Sequence, residues 1–150
     1  MDPRVKVSEK TLKDQLNLGL EIWNASATNN SIKANLESLA TQLTTIKPGN
    51  NGELNSGLNI LENKITEIQK LLRGSDPANL ETVVFSADRE PTEQMRVGFN
   101  KLNKKIKLAV KGWNSLKDKE VISLNRSLND LGMKTLNVKE SVTAHYNRVK

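Results

Sequence analysis

The chain has 150 residues, the length of a single domain that can bury roughly 70% of its unfolded surface. It contains no cysteine, which excludes disulfides and thiolate metal sites, and its two Trp, two Phe and one Tyr are too few aromatic residues for a typical β-sheet protein. The net charge of +6, from 23 basic and 17 acidic residues, permits an anionic partner without requiring one.

The N-terminus differs from the rest of the chain. Residues 3–7 (Pro-Arg-Val-Lys-Val) alternate apolar and basic side chains as an extended strand does, whereas nearly everything from Ser8 onward is typical of helix. No apolar run approaches the roughly 20 residues that cross a bilayer, and the first residues lack the apolar core of a signal peptide. We expect residues 1–7 to be a linker from a preceding domain, with any export signal upstream of Met1.

The first predicted helix begins at Ser8, a favourable N-cap, with Val7 and Leu12 in the positions of a hydrophobic staple. Apolar residues recur every three or four positions through a polar patch at residues 29–31, which predicts one long helix. A turn at Pro48–Gly49 ends it. This spacing predicts a buried face made of Leu12, Leu16, Leu20, Trp23, Ala27, Ile32, Leu36, Leu39, Leu43 and Ile46.

The second predicted helix runs from about Glu53 to Arg73 and is followed by Gly74. Asp76 and Pro77 then have the pattern of an N-cap and a first helical residue, which predicts a short helix to about Phe85. The run of residues 82–85 could instead form a strand. The buried stripe predicted for the second helix is Leu54, Leu58, Leu61, Ile65, Ile68 and Leu72.

The third long helix is predicted to start with Pro91 and Glu93 in its first turn, and a last helix follows from about Lys119 to Gly132. Residues beyond 132 are more weakly patterned. The apolar face predicted for the third helix is Met95, Phe99, Leu102, Ile106, Ala109, Val110, Trp113 and Leu116. The opposite side carries Lys101, Lys104, Lys105, Lys107 and Lys111.

Together these elements predict an all-α, antiparallel up-down helical bundle of three long helices and one or two short ones. We expect the bundle to span residues 8–136 and residues 137–150 to be a weakly structured C-terminal tail. The predicted core comprises Leu12, Leu16, Trp23, Leu36, Leu61, Ile65, Phe99, Leu102, Ile106 and Trp113.

The sequence offers little for catalysis. The single histidine, His145, lies in the predicted tail, where no base can be held beside a nucleophile. The chain has no metal-ligand spacing and no Gly-rich loop leading into a helix. We therefore predict no catalytic residue, cofactor or metal, and no enzymatic activity for this chain. The helix carboxylates, which fall on polar faces or near helix starts, are Glu9, Asp14, Glu53, Glu62, Glu67 and Glu93.

Two stretches resemble a known family. One is MDPRVKVSEKTLKDQLNLGLEIWNAS, where the end of a strand and Asp-Pro-Arg-Val-Lys lead into a long helix. The other is EPTEQMRVGFNKLNKKIKLAVKGWNSLKDKEVISLNRSLNDLGMKTL, with a Pro-Thr start, a central Trp, a Leu-Asn pair and a late Gly before a final Leu. Both are similar to the C-terminal helical region of bacterial sortilin-like proteins, which are large exported chains with BNR (Asp-box) repeats classed as glycosyl hydrolases.

The resemblance implies a β-propeller and a β-rich segment upstream of this helical domain, and an extracytoplasmic location for the parent chain. The Ser-x-Asp-x-Gly-x-x-Trp box of the propeller blades is absent from this chain, so no catalytic residue is carried over. We therefore expect a non-catalytic accessory domain that packs against the preceding β domains of its own chain or against another protein.

Two other functions stay open at this stage. A free-standing helical adaptor or nucleic-acid-binding protein could use Lys101, Lys104, Lys105 and Lys111, although no aromatic residues are interleaved with them for base stacking. A glycan-binding module could use Trp23 and Trp113, although both are in phase with the predicted buried stripes.

Overall fold

The computed structural model of the chain describes residues 8–46, 51–86 and 90–138. These residues form five α-helices and one π-helical segment, and none of them forms a strand or a helix apolar and long enough to cross a membrane. The predicted all-α bundle is confirmed, and the alternative strand at residues 82–85 is wrong. The α-helices are α1 (Glu9–Thr44), α2 (Gly52–Leu72), α3 (Ala78–Phe85), α4 (Glu93–Ser115) and α5 (Ile122–Asp130).

Side-chain oxygens cap the starts of the helices. Ser8 accepts a hydrogen bond from a backbone N–H in the first turn of α1, as predicted, and Asn51 and Thr92 do the same for α2 and α4. Asp76 accepts from the N–H of Ala78 at 3.0 Å. The helix α3 begins at Ala78, one residue later than its sequence predicts. Each cap satisfies a backbone donor that the helix itself leaves without an acceptor.

The predicted third and last helices form one continuous rod from Glu93 to Asp130, joined by the π-helical segment Leu116–Val121. From Ile106 to Leu128 the buried apolar residues are three or four positions apart, except that five positions separate Leu116 from Val121. A π-helical turn adds one residue and so keeps both on the buried side. The rod ends at Gly132, whose φ of 65° and neighbouring hydrogen bonds make the predicted left-handed cap.

The buried residues form two clusters. The main cluster joins the second half of α1 to α2, the second half of α4, the π-helical segment and α5. The smaller α3 cluster joins the first halves of α1 and α4 to α3, and it consists of Leu18, Ile22, Ala25, Val84, Phe99 and Ile106. Six predicted core residues are confirmed as buried: Leu36, Leu61, Ile65, Phe99, Ile106 and Trp113.

The first half of α1 buries a different face from the one predicted. Leu12, Leu16 and Trp23 were expected in the core, yet they are exposed, as is Leu20. Ala27 and Leu102 are half-buried. Both sides of this half of α1 are apolar, and α3 packs on only one of them, so periodicity alone selects the wrong side. The residues buried there instead are Gln15, Leu18, Gly19, Ile22 and Ala25.

A polar layer separates the two clusters along α1. Asn29 has no exposed surface, and neither the oxygen nor the nitrogen of its side chain has a hydrogen-bond partner among the described residues. Thr28 is also buried, but its hydroxyl donates to the carbonyl of Asn24 at 2.9 Å. A buried amide without partners destabilises the folded chain, so the Asn29 side chain is a local weak point of the bundle.

The segment after α5 folds back onto the bundle. Leu136 is buried, and its backbone N–H and C=O both bond to the side chain of Asn125, at 2.7 and 3.0 Å. Asn137 forms the same kind of pair with the side chain of Gln42, at 2.7 and 2.8 Å. Residues 133–138 are thereby tied to both α5 and α1.

Some predictions concern other parts of the chain. The linker at residues 1–7, which includes the Val7 half of the staple, lies outside the described residues. The same holds for the turn at Pro48–Gly49 and for residues 139–150, which include His145.

Candidate docking surfaces

The carboxylates singled out from the sequence lie at the surface. Glu9 is paired with Lys13 at 2.9 Å, and Asp14 lies 3.9 Å from Lys10, so each carboxylate faces a lysine on its own helix. Within residues 8–46, 51–86 and 90–138 no three His, Cys, Asp or Glu side chains are grouped as a metal ion would need. Of the six carboxylates singled out, five are exposed and Asp14 is half-buried; the exposed five are Glu9, Glu53, Glu62, Glu67 and Glu93.

One carboxylate that the sequence did not single out is mostly buried. Glu120 lies in the π-helical segment and forms an ion pair with Lys64 of α2. Its second oxygen, Oε2, is buried without a hydrogen-bond partner. The pair ties α2 to the π-helical turn beside a cleft that Ser123 and Ser127 also line. The five-residue step in the apolar pattern was the available signal that this stretch is unusual.

The outward side of α1 carries an apolar surface that we call the apolar α1 face, formed by Leu12, Leu16, Leu20 and Trp23. These side chains are 37%, 52%, 43% and 53% exposed. Steps of four, four and three residues place them within an arc of about 80° on the helix. The face lies opposite the side that packs in the α3 cluster, so α1 is apolar on two sides.

Phe85 extends this face sideways. A Cβ atom added to Gly19 would lie 2.0 Å from Cζ of Phe85, so the phenyl ring rests directly on the backbone of α1 at that glycine. Half of the Phe85 surface remains exposed. Gly19 lies three residues after Leu16 and four before Trp23, and residues at these spacings are neighbours on a helix surface. The ring therefore adds to the same apolar surface.

A buried hydrogen bond holds α3 in this position. Nε2 of Gln15 donates to the backbone carbonyl of Val84 at 2.6 Å, and both residues are buried. The bond fixes the end of α3 against α1, and it places Phe85 over Gly19. The apolar α1 face and its aromatic edge are therefore held together by a direct contact between α1 and α3.

Trp23 does not have the position that the sequence predicted, whereas Trp113 does. Trp113 is 1% exposed in the main cluster. Trp23 is exposed, although it is in phase with the stripe predicted to be buried. On the exposed side of α1 its neighbours Leu16, Leu20 and Ala27 are apolar, and the nearest polar groups along the helix are those of Asn24 and Ser26. This setting favours an apolar partner over a glycan.

The outward side of α4 carries a second surface, the lysine face, formed by Lys101, Lys104, Lys105, Lys107 and Lys111. All five are exposed and lie opposite the buried side, as predicted. Six basic residues in α4 stand against one acidic residue, Glu93, so this helix carries five of the six net positive charges of the chain.

Comparison of the chain with models of known protein families gave no match, and neither characterised proteins nor solved structures gave one. Its function is therefore argued from the chemistry of its own surfaces.

Proposed function

We propose that this chain is a non-catalytic packing domain that binds a protein surface through the apolar α1 face. The observation that carries the proposal is the two-sided first half of α1. One side packs in the α3 cluster, and the other leaves three leucines and a tryptophan 37–53% exposed.

The spacing of the exposed residues suits a protein partner. Side chains at i, i+4, i+8 and i+11 form one ridge, the pattern by which a helix anchors in an apolar groove. Tryptophan is enriched among the residues that dominate binding energy, and Trp23 stands at the end of this ridge beside Phe85. Asn17 and Asn24, which flank the ridge on one side, are uncharged. Lys13 lies on the same side near the start of the ridge, where it is paired with Glu9 at 2.9 Å.

The partner in this proposal is the β-rich region that precedes the helical domain in sortilin-like proteins, within one exported parent chain. Support comes from position: the apolar α1 face begins at Leu12, four residues after the cap of α1 at Ser8. A domain joined to α1 through the residues before Ser8 would therefore lie next to it. In this arrangement the helical domain covers the neighbouring domain and fixes its orientation.

Site-specific photocrosslinking in the source cells tests the proposal. A benzophenone side chain at Leu16 is expected to crosslink to the upstream β-rich region of the same polypeptide, identified by peptide mapping. The matched control places the same group at Asn63, an exposed polar position of α2, and should give no such product. Crosslinks only between copies of this chain, or none at Leu16, would contradict the proposal.

An immunoblot of fractionated cells checks the parent chain separately. We expect a band several times heavier than the 16.7 kDa of this chain, outside the cytoplasm. A cytoplasmic band near 16.7 kDa would instead favour a free-standing adaptor, with the apolar α1 face serving another protein.

A further inference from the structure

The lysine face is a concentrated positive surface. Residues 94–117 contain no Asp or Glu. Lys101, Lys104 and Lys105 have no carboxylate partner, and neither has Lys111, within the parts of the chain that the structure describes. From Lys101 to Lys111 the charges extend along about 15 Å of helix. An anionic surface could approach all of them at once.

The lysines of α4 are also arranged so that they repel one another. Lys101 and Lys105 are four residues apart, a spacing at which like charges destabilise a helix. In α1 the same spacing joins opposite charges, as in the Glu9–Lys13 pair at 2.9 Å. An anionic partner would relieve the repulsion in α4. The helix therefore has a charge pattern that favours a bound anion over the free state.

Aliphatic side chains lie among the lysines. Leu108, which is 48% exposed, lies between the lysines, and Val97, which is 42% exposed, lies one turn before Lys101 on the same side of α4. Exposed aliphatic groups gain nothing against the phosphates of a nucleic acid. Against a bilayer they can enter the boundary between headgroups and acyl chains, while the lysine stems reach out to the headgroups.

The residue types on this face disfavour a protein partner. Lysine is depleted in protein–protein interfaces, and the aromatic residues of α4, Phe99 and Trp113, are buried away from this face. A protein would also have to immobilise several long side chains. A fluid lipid surface leaves them mobile and still supplies negative charge.

We propose that the lysine face of α4 binds peripherally to an anionic lipid surface. The lysines contact phosphate and carboxylate headgroups, and Val97 and Leu108 enter the interface between them. The opposite side of α4 stays packed in both clusters, so the helix lies flat on the membrane without leaving the bundle. This binding is independent of the apolar α1 face and goes beyond the packing function.

Vesicle sedimentation with the full chain tests the lysines. We expect binding to phosphatidylcholine vesicles containing phosphatidylserine at physiological salt, and none to pure phosphatidylcholine. The triple variant Lys101→Gln, Lys104→Gln and Lys111→Gln should bind on the order of a hundredfold more weakly. The control Lys70→Gln, Lys119→Gln and Lys134→Gln removes equal charge from exposed positions elsewhere and should change binding only a few-fold. Absence of vesicle binding, or equal losses in both variants, would overturn the proposal.

A second variant separates lipid from nucleic acid. Leu108→Gln keeps every lysine, and we expect it to weaken vesicle binding several-fold because an inserting group is lost. Binding to a mixed-sequence DNA duplex, measured by fluorescence anisotropy, provides the comparison. Duplex binding tighter than vesicle binding, with Leu108→Gln changing neither, would overturn the proposal and make the lysine face a nucleic-acid surface. Circular dichroism confirms that each variant remains helical.

Discussion

The outward sides of α1 and α4 are opposite in chemistry, although both helices pack in the main cluster and in the α3 cluster. The first half of α1 exposes leucines and a tryptophan, whereas α4 exposes lysines. Formation of the bundle requires only that the buried faces of α1 and α4 be apolar. The residue types on their exposed faces are therefore not explained by folding. The difference shows that one small domain presents two surfaces suited to different partners. Substitutions in the core and then on the two surfaces test this difference.

The largest expected effect contrasts the two tryptophans. Trp113→Ala should lower the free energy of unfolding by about 3–5 kcal/mol, because it opens a cavity in the main cluster. Trp23→Ala should change it by less than about 0.5 kcal/mol, because Trp23 lies on the exposed face. Guanidinium unfolding followed by circular dichroism measures both. Equal losses would mean that Trp23 is covered within this chain.

The next effect contrasts one glycine of each helix. Gly19→Ala should destabilise the fold by up to about 2 kcal/mol, because displacing the ring of Phe85 costs about 1–3 kcal/mol and better helix propensity returns at most about 1 kcal/mol. Gly98→Ala in α4 has no atom within 4 Å of the new Cβ, so better helix propensity should stabilise the fold by up to about 1 kcal/mol. Thermal unfolding of the two variants should therefore shift in opposite directions. A shift of Gly19→Ala toward higher stability would show that Phe85 does not rest on α1.

The polar layer of α1 gives the third effect. Asn29→Leu should stabilise the fold by about 1–2 kcal/mol, because it replaces a buried amide that lacks partners with an apolar group of similar size. The control Asn63→Leu changes an exposed residue of α2 and should remain within about 0.5 kcal/mol. The denaturant midpoints of the two variants, compared with that of the original chain, measure both effects. Destabilisation by Asn29→Leu would reveal a hydrogen-bond partner for the amide in solution.

Local features of the fold were predictable from sequence because their causes lie within a few residues. Ser8 caps α1 through a backbone N–H three residues away, and the φ of Gly132 requires a residue that tolerates the left-handed region. The buried stripe of α2 was equally clear, because its opposite side is mostly polar.

The outward face of α1 was not predictable, because its cause is distant in sequence. Both sides of the first half are apolar, and the choice between them depends on α3, which is tied to α1 by the bond between Gln15 and Val84, 69 residues apart. The leucines of the apolar α1 face have the spacing of a buried stripe, so the sequence predicts a core where the structure has an exposed surface. The lysine face was predictable, since its position follows from the single clean apolar stripe of α4.

The smallest expected effect compares the charges of the two helices directly, by the same substitution in each. Lys101→Glu in α4 replaces a repulsive contact with Lys105 by an attractive one, which should stabilise the fold by about 0.4–1 kcal/mol at low salt. Lys13→Glu in α1 replaces the attractive contact with Glu9 by a repulsive one, which should destabilise the fold by a similar amount. Thermal unfolding at low and high salt measures both.

Because these side chains are exposed, both differences should shrink as salt is added. The Lys101→Glu variant should be more stable than the original chain but should bind anionic vesicles more weakly. The two measurements are therefore expected to change in opposite directions. If the lysines existed only to solubilise the bundle, exchanging one for glutamate would cost no binding function. A gain in stability together with a loss of vesicle binding would mean that α4 keeps a self-repelling charge pattern because an anionic surface compensates it.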